Sequence, residues 1–435
     1  MSDMLTMQKQ IPVVTEYDTV VCGGGPAGWV AAVSAARAGQ KTALIERLGF
    51  VGGTATAGIV VPISGFFFKG TRVVGGIAWE FVQKLEQYGA ARVELPKGHV
   101  SVNIEYYKVI AQHMLEECGV TLYTNAYLSD CMRDGNRVTH AIIESKNGTE
   151  AIGGKCFIDA TGDGDLCHMA GVPMMESKEL QPASLCFIIT GVDTSTDLLR
   201  DYIHHDGKNG KGSCNTAIRE YLLERLKDVD DLQFGGPWFN VLLKGNSLAV
   251  NITRTALDAT NRAEVTAAEA KLRVDMLRIV ELLREHYEEF RHCEIVHSAI
   301  NVGIRETRHI QGIYTLSVQD VLDHTVFDCP VAHCAHPMDI HAAKGAGQQL
   351  TYLDDNLFVP HEVMVSRSAD NVIAAGRCVS AEKEPYASLR VQATLMSIGE
   401  AAGLMAQLHN QTGAPVWDLP RDMLKARIDK RGFVL

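Results

Sequence analysis

The chain has 435 residues, of which 46 % are hydrophobic and 21 % charged, with a formal net charge of −11. This fits an ordinary soluble protein with core enough for about two to three domains, and the acidic surplus argues against nucleic acid or an anionic membrane surface as a partner. Eleven cysteines without a C-x-x-C pair read as free thiols of a reducing compartment, the polar stretch 1–10 lacks an export signal, and the longest greasy run (59–68) is about half of the ~20 residues that a membrane helix requires; the expectation is a cytoplasmic protein.

The first element is a strand ending Val20-Val21-Cys22, which turns through Gly23-Gly24-Gly25-Pro26-Ala27-Gly28 into a helix over 28–38 that Gly39 stops. Such a turn sets free backbone N–H groups and a helix N-terminus against a pyrophosphate. Gly23 makes the turn, Gly25 admits the phosphates, and Gly28 lets helix pack on strand. Pro26 suits the first helical position, where its missing N–H is no loss. A second strand (42–45) closes on Glu46, eighteen residues past Gly28, which can accept hydrogen bonds from a ribose diol. The alternative is a glycine-rich turn with no ligand. With strand, helix, second strand and acid in order, the motif reads as dinucleotide-binding.

Further along, 101–117 has helical spacing through Ile104, Val109, Ile110, His113 and Met114. A strand follows at 120–126, then strands 137–144 and 150–160 joined by the hairpin signal Asn147-Gly148. Between 171 and 357 apolar stretches (183–191, 238–252) flank a long charged helix (260–291), whose apolar stripe is Val265, Leu272, Met276, Val280 and Leu283. A short buried strand (371–375), a turn at Gly376 and an apolar small-residue helix (395–409) end the chain as it began.

Four segments choose a flavin over a nicotinamide: 47–58 with paired glycines and hydroxyls, 159–165 (Asp159-Ala160-Thr161-Gly162-Asp163-Gly164-Asp165), the turn Gly376-Arg377-Cys378, and 388–394 just ahead of the last helix. A helix N-terminus aimed at a flavin's pyrimidine edge stabilises the anionic reduced form. Together with Val73-Val74-Gly75-Gly76-Ile77, 304–308, 337–341 and 376–380, these segments resemble the FAD-dependent oxidoreductase family of the glutathione-reductase-like superfamily, over 17–406. The chain departs from that pattern at 358–362, where members commonly carry a basic, proline-led stretch.

The resemblance implies an α/β fold: a Rossmann-like FAD-binding domain assembled from both chain ends (1–60, 100–170 and 365–435), with an interleaved α+β substrate domain (61–99 and 171–364). It implies that Gly23, Gly25, Pro26, Ala27, Gly28, Glu46, Arg47, Gly53 and Thr54 line the ADP half of FAD. Ala126 would offer its backbone to the adenine, and Thr161 and Asp163 would border the pyrophosphate. Gly376, Arg377, Val391 and Gln392 would lie along the ribityl chain and ring.

A bound flavin carries the electrons, so the protein must supply an orienting cation and a proton acceptor. Arg305 and Arg308 are candidate anchors for a carboxylate or carbonyl, or members of a salt-bridge network with Glu306 that pins one domain to the other. His336 and His341, with Asp339 between them, form the best base-and-orienter set, or are ordinary loop histidines. Their spacing lacks a zinc pattern, so no metal is expected. Arg390 either faces an anion or the flavin, or caps the preceding segment. His204-His205 reads as a solvent-exposed pair. Phe66-Phe67-Phe68 reads as core, lid or subunit interface, which leaves a homo-oligomer open.

The missing C-x-x-x-x-C argues against a disulfide reductase. With only one glycine fingerprint, reduction by NAD(P)H would need an improvised site. The expectation is an FAD-dependent dehydrogenase or reductase passing hydride between a small polar organic substrate and flavin N5, with a histidine handling the proton. The alternatives are an oxygen-using flavin hydroxylase or oxidase, and a flavin-binding electron-transfer subunit without turnover of its own.

Overall fold

The computed structural model describes residues 5–94, 98–176, 179–199, 216–229, 231–243 and 246–430; the pair His204-His205 lies outside them. A seven-stranded sheet forms the centre: β1 (Val13–Cys22), β2 (Thr42–Glu46), β3 (Thr121–Thr124), β4 (Tyr127–Asp134), β5 (Arg137–Ser145), β6 (Gly148–Asp159) and β7 (Val372–Ala374). β3, β2, β1 and β6 lie side by side and parallel, and β7 pairs in parallel with the end of β6. The first half of β6 pairs antiparallel with β5, and β5 with β4.

The register aligns Cys22 with Asp159 and with Ile45, and Asp159 with Ala374. The carboxyl ends of four parallel strands therefore open on one crevice, the usual ligand position in such sheets. Both faces of the sheet are covered at its centre, so β2 and the adjoining ends of β1 and β6 are continuously buried. Val21, Leu44 and Ile158 join the core on one face, while Val20, Ile45 and Phe157 join a second core on the other.

The first core is sealed by α1 (Pro26–Arg37) and a helix at the far end of the chain (Gln392–Thr412). Their backbones touch: a Cβ at Gly399 would fall 2.1 Å from the Ala27 oxygen, and one at Gly403 2.6 Å from that of Ala31. The helix Gly76–Gln87, which the sequence reading put with the substrate domain, packs here as well. Phe81 sits 5.0 Å from the Trp29 ring, and the buried Glu400 carboxylate accepts the Ile77 N–H at 3.0 Å. A second, antiparallel sheet, in the order Gln233–Val241, Leu248–Arg254, Phe187–Thr190, Glu294–Ser298, forms its own core with the helix Arg262–His286 through Phe187, Phe239, Val250, Ile279 and Leu283.

Several expected boundaries shift. The helix expected from 101 starts at Ile104, because the Asn103 side chain caps it by accepting from Glu105 N and Tyr106 N, and Ser101 belongs to a strand, His99–Val102. Val109 of its expected apolar set is 63 % exposed. The stretch 238–252 splits into two strands, and the long charged helix ends at His286. No helix among the described residues is long and apolar enough to cross a membrane.

Candidate active site

The glycine turn stands at the mouth of the crevice. Gly23 has φ +98°, and a Cβ there would fall 2.3 Å from the Ala160 oxygen. A Cβ on Gly28 would fall 1.8 Å from the Gly23 oxygen, so helix and strand meet with no room for a side chain. Gly25 is different: a Cβ there meets nothing within 4 Å. Beside that open space the amides of Gly25, Ala27 and Gly28 have no hydrogen-bond partner among the described residues, as expected of a helix start. Gly53 closes on the turn, 2.9 Å separating its would-be Cβ from the Gly25 Cα, with Thr54 half-buried next to it. Gly376, at φ +113°, packs on Ala27.

Glu46 is buried, and its two oxygens accept from Gly24 N at 2.7 Å and Leu48 N at 2.8 Å. Burial raises its pKa against those bonds. Each oxygen keeps a lone pair for another donor. Arg47 is exposed. Three expected contacts change character. The Ala126 N–H is taken by the Glu46 carbonyl, leaving the Ala126 carbonyl as what its backbone can offer. Thr161 turns its hydroxyl onto Asp159 at 2.7 Å. Asp163 is paired with Arg377 at 2.8 Å and accepts from the Thr307 hydroxyl, so Asp163 and Arg377 neutralise each other.

The second helix start, Val391-Gln392, lies against the segment after the first cradle: Gln392 Nε2 donates to the Val60 carbonyl at 2.8 Å, and a Cβ on Gly65 would fall 3.0 Å from Val391 Cγ2. The Gln392 Oε1 atom is buried without a partner, and no hydrogen bond reaches the amides of Gln392, Ala393 or Thr394 among the described residues.

Arg390, just ahead of that helix, reaches a polar cluster. Its Nη2 donates to the Asp339 carbonyl at 3.0 Å and stands 3.4 Å from the carboxylate. Asp339 accepts from His341 Nε2 at 2.9 Å. Burial alone would raise Asp339, but the His341 bond and the Arg390 charge hold it well below the usual carboxylate range. His341 Nδ1 accepts from the buried Arg254 guanidinium at 2.8 Å. The ring is therefore neutral, with its proton on Nε2, and burial pushes its pKa down to about 3. Both nitrogens are engaged, so of the two histidines in the expected base-and-orienter set His341 is the one tied to Asp339 and Arg254.

The His336 side chain has no hydrogen bond among the described residues, and burial pushes its pKa down to about 4. Arg305 donates from Nη1 to the Pro182 carbonyl and to Ser184 Oγ at 2.9 Å, while burial and the charges of Arg390 and Arg254 lower its pKa to about 9. Arg308 does not join them. It binds Asp165 at 2.9 Å, the first residue of the short helix Asp165–Met169, while Glu306 accepts from Gln181 N, so the salt bridge from Arg308 across to the first half of the chain runs through Asp165 and not Glu306. The sequence reading missed Arg254 and Gln181: one ends an ordinary strand, the other sits in a loop, and neither carries a local motif. Among the described residues no group of three or more His, Cys, Asp or Glu is arranged to hold a metal.

A family model for FAD-dependent oxidoreductases matches residues 18–428. The chain belongs to the FAD-dependent oxidoreductase family. FAD is its cofactor, and the open space at Gly25, the unpartnered amides and the orphaned Gln392 oxygen fit such a group. Curated relatives match over short stretches: dihydrolipoyl dehydrogenase of Trypanosoma brucei brucei is 56 % identical over 47 residues (11 % of this chain, 10 % of that protein), and urocanate reductase of Eggerthella lenta 42 % over 57 residues (12 % and 9 %). The chain thus spans about a tenth of the length of these relatives. Among solved structures, a flavin-dependent brominase variant aligns with a TM-score of 0.49 at 13 % identity (95 % of this chain, 85 % of that one). A geranylgeranyl bacteriochlorophyll reductase-like protein from Thermoplasma acidophilum aligns with 0.47 at 12 % (95 % and 82 %).

Proposed function

We propose that this family member passes hydride between a small polar organic substrate and flavin N5, with His336 exchanging the accompanying proton. The observation that supports this most directly is the His336 ring, free of hydrogen bonds and kept neutral by burial, beside Asp339 and Arg390 at the approach to the second helix start. A neutral imidazole with an open nitrogen can accept a proton; His341, held at both nitrogens, cannot without breaking a bond.

FAD, when bound, supplies the two-electron chemistry. Glu46 and the amides of Gly25, Ala27 and Gly28 would hold its ADP half, Gly53 and Thr54 closing over them, while Val391 and Gln392 would border the ring. Asp339 keeps its charge next to His336 and so favours the imidazolium that proton uptake creates.

The test is anaerobic bleaching of the flavin against a panel of hydroxy acids, amino acids, sugars and enones. With a substrate in hand, His336→Ala should slow bleaching by about 100-fold or more, the usual contribution of a positioned base. Bleaching as fast as in the parent protein would overturn the assignment.

A further inference from the structure

Asp339 and His341 stand two positions apart on the strand Met338–His341, so their side chains leave the same face. The paired strand sets Gln348 opposite His341, and Gln348 Nε2 donates to one Asp339 oxygen at 2.7 Å while His341 Nε2 donates to the other at 2.9 Å. The second ring nitrogen of His341 faces Arg254, a residue only 1 % exposed at the end of the strand Leu248–Arg254. Arg254 Nη2 lies 2.8 Å from His341 Nδ1, and its Nη1 donates to the carbonyls of Gly345 and Gly347 at 3.4 and 2.8 Å. Those two glycines are in the turn of the same hairpin, so the hairpin itself aims the guanidinium at the ring.

A guanidinium donates and never accepts, so Nδ1 must accept and the single ring proton sits on Nε2. A second proton would have to go to Nδ1. It would set two N–H donors and two positive charges face to face across the 2.8 Å gap. The other ionisable groups around the ring press the same way. Besides Asp339 on its own strand, His341 is acted on by Arg305 and by Arg390 at the end of the helix Lys383–Leu389. Tyr386 of that helix, kept protonated by burial, donates to the Arg305 carbonyl. The charges acting on His336 are those of Asp339 and Arg390. Two histidines thus share one carboxylate, and Arg254 stands against one of them.

We infer that Arg254 is a positioning residue that decides, through His341, which histidine of the site takes up a proton. It holds His341 as a neutral Nε2–H donor to Asp339, and the carboxylate charge is left to His336. If His341 became charged, it would form an ion pair with Asp339 and cancel the charge that favours the His336 imidazolium. Proton uptake at His336 rests on the hydride-transfer reading; the state of His341 does not.

The test is ring-nitrogen NMR of the histidines in the holoenzyme, with His341→Gln identifying the His341 signals. From about pH 8 to about pH 5 the parent His341 should show one bare and one protonated nitrogen, the proton on Nε2, and no titration. In Arg254→Met it should titrate within that range, and Arg254→Lys, which keeps a cationic donor, should restore part of the parent behaviour. With a substrate in hand, Arg254→Met should slow flavin bleaching by about tenfold near pH 6, where His341 charges, and by little near pH 8; a merely structural role would slow it equally at both. A proton on Nδ1 of the parent His341, its titration above about pH 5, or an unchanged His341 in flavin-loaded Arg254→Met overturns the inference. The parent spectrum decides without a variant if Arg254→Met does not retain flavin. If His341 behaves as expected but bleaching does not depend on His336, the hydride-transfer reading fails alone. If bleaching depends on His336 while the parent His341 titrates, the role of Arg254 fails alone.

Discussion

Two glycines of one turn do different work. At Gly28 a methyl group would collide with the Gly23 oxygen at 1.8 Å, so Gly28→Ala should destabilise the apoprotein by about 1–3 kcal/mol through overpacking. At Gly25 a methyl group meets nothing within 4 Å and the φ of −65° is ordinary. Gly25→Ala should therefore cost under about 1 kcal/mol of stability, the price of a poorer helix cap, yet weaken FAD by about tenfold or more by filling the space at the pyrophosphate. Urea unfolding of the apoproteins with flavin titrations of both variants separates the two; equal loss of stability would defeat the distinction. Both glycines were readable in the sequence because close approach and turn conformation are local backbone properties. The division of labour between His336 and His341 was not readable, because nothing local to His341 reveals Arg254, 87 positions earlier, on its second nitrogen.

The contact that matters most between elements joins the first helix to the last. Gly399 and Gly403 give the last helix a flat side, and Ser34 Oγ donates to the Glu400 carbonyl across it at 2.7 Å. Gly403→Val would press on the Ala31 oxygen and the Ser34 side chain, and should cost about 1–3 kcal/mol by overpacking. Because Gly376 packs on Ala27 nearby, the purified variant should also carry less FAD; a thermal melt and the visible flavin absorption check both effects. The helix at 395–409 was legible from its apolar small residues. Its start at Gln392 was not, since a helix start without a side-chain cap leaves little trace in composition.

Across the whole molecule, acid should be destabilising. His333, His336 and His341 titrate at about 4, about 4 and about 3 in the folded state, each pushed down first by burial, against 6.5 for a free histidine. Between those values the unfolded chain binds more protons than the folded one, so stability falls as pH drops from about 6.5 toward about 4. Glu46 and Asp159, raised by burial, act in the opposite sense. Replacing one histidine isolates its share: the fall in melting temperature from about pH 7 to about pH 5 should be smaller in His336→Gln than in the parent, and an equal fall would mean that His336 is not held neutral.

The sequence alone determined the α/β class, the dinucleotide turn with its strand, helix and Glu46, and the choice of FAD. The first two rest on backbone geometry and periodicity within short windows, which residue order encodes directly; the third rests on the resemblance carried by several motifs in order along the chain. Tertiary structure decided the rest. It brought the Gly376 turn onto Ala27 and put Arg308 on Asp165 instead of in the polar cluster. It also drew Gln181, Arg254, Arg305 and Arg390 around Asp339 and His341 from segments up to about 200 positions apart. Such a gathering depends on how two sheets and the hairpin at Met338–His341 dock, and side chains that meet only through docking leave no shared spacing in the chain.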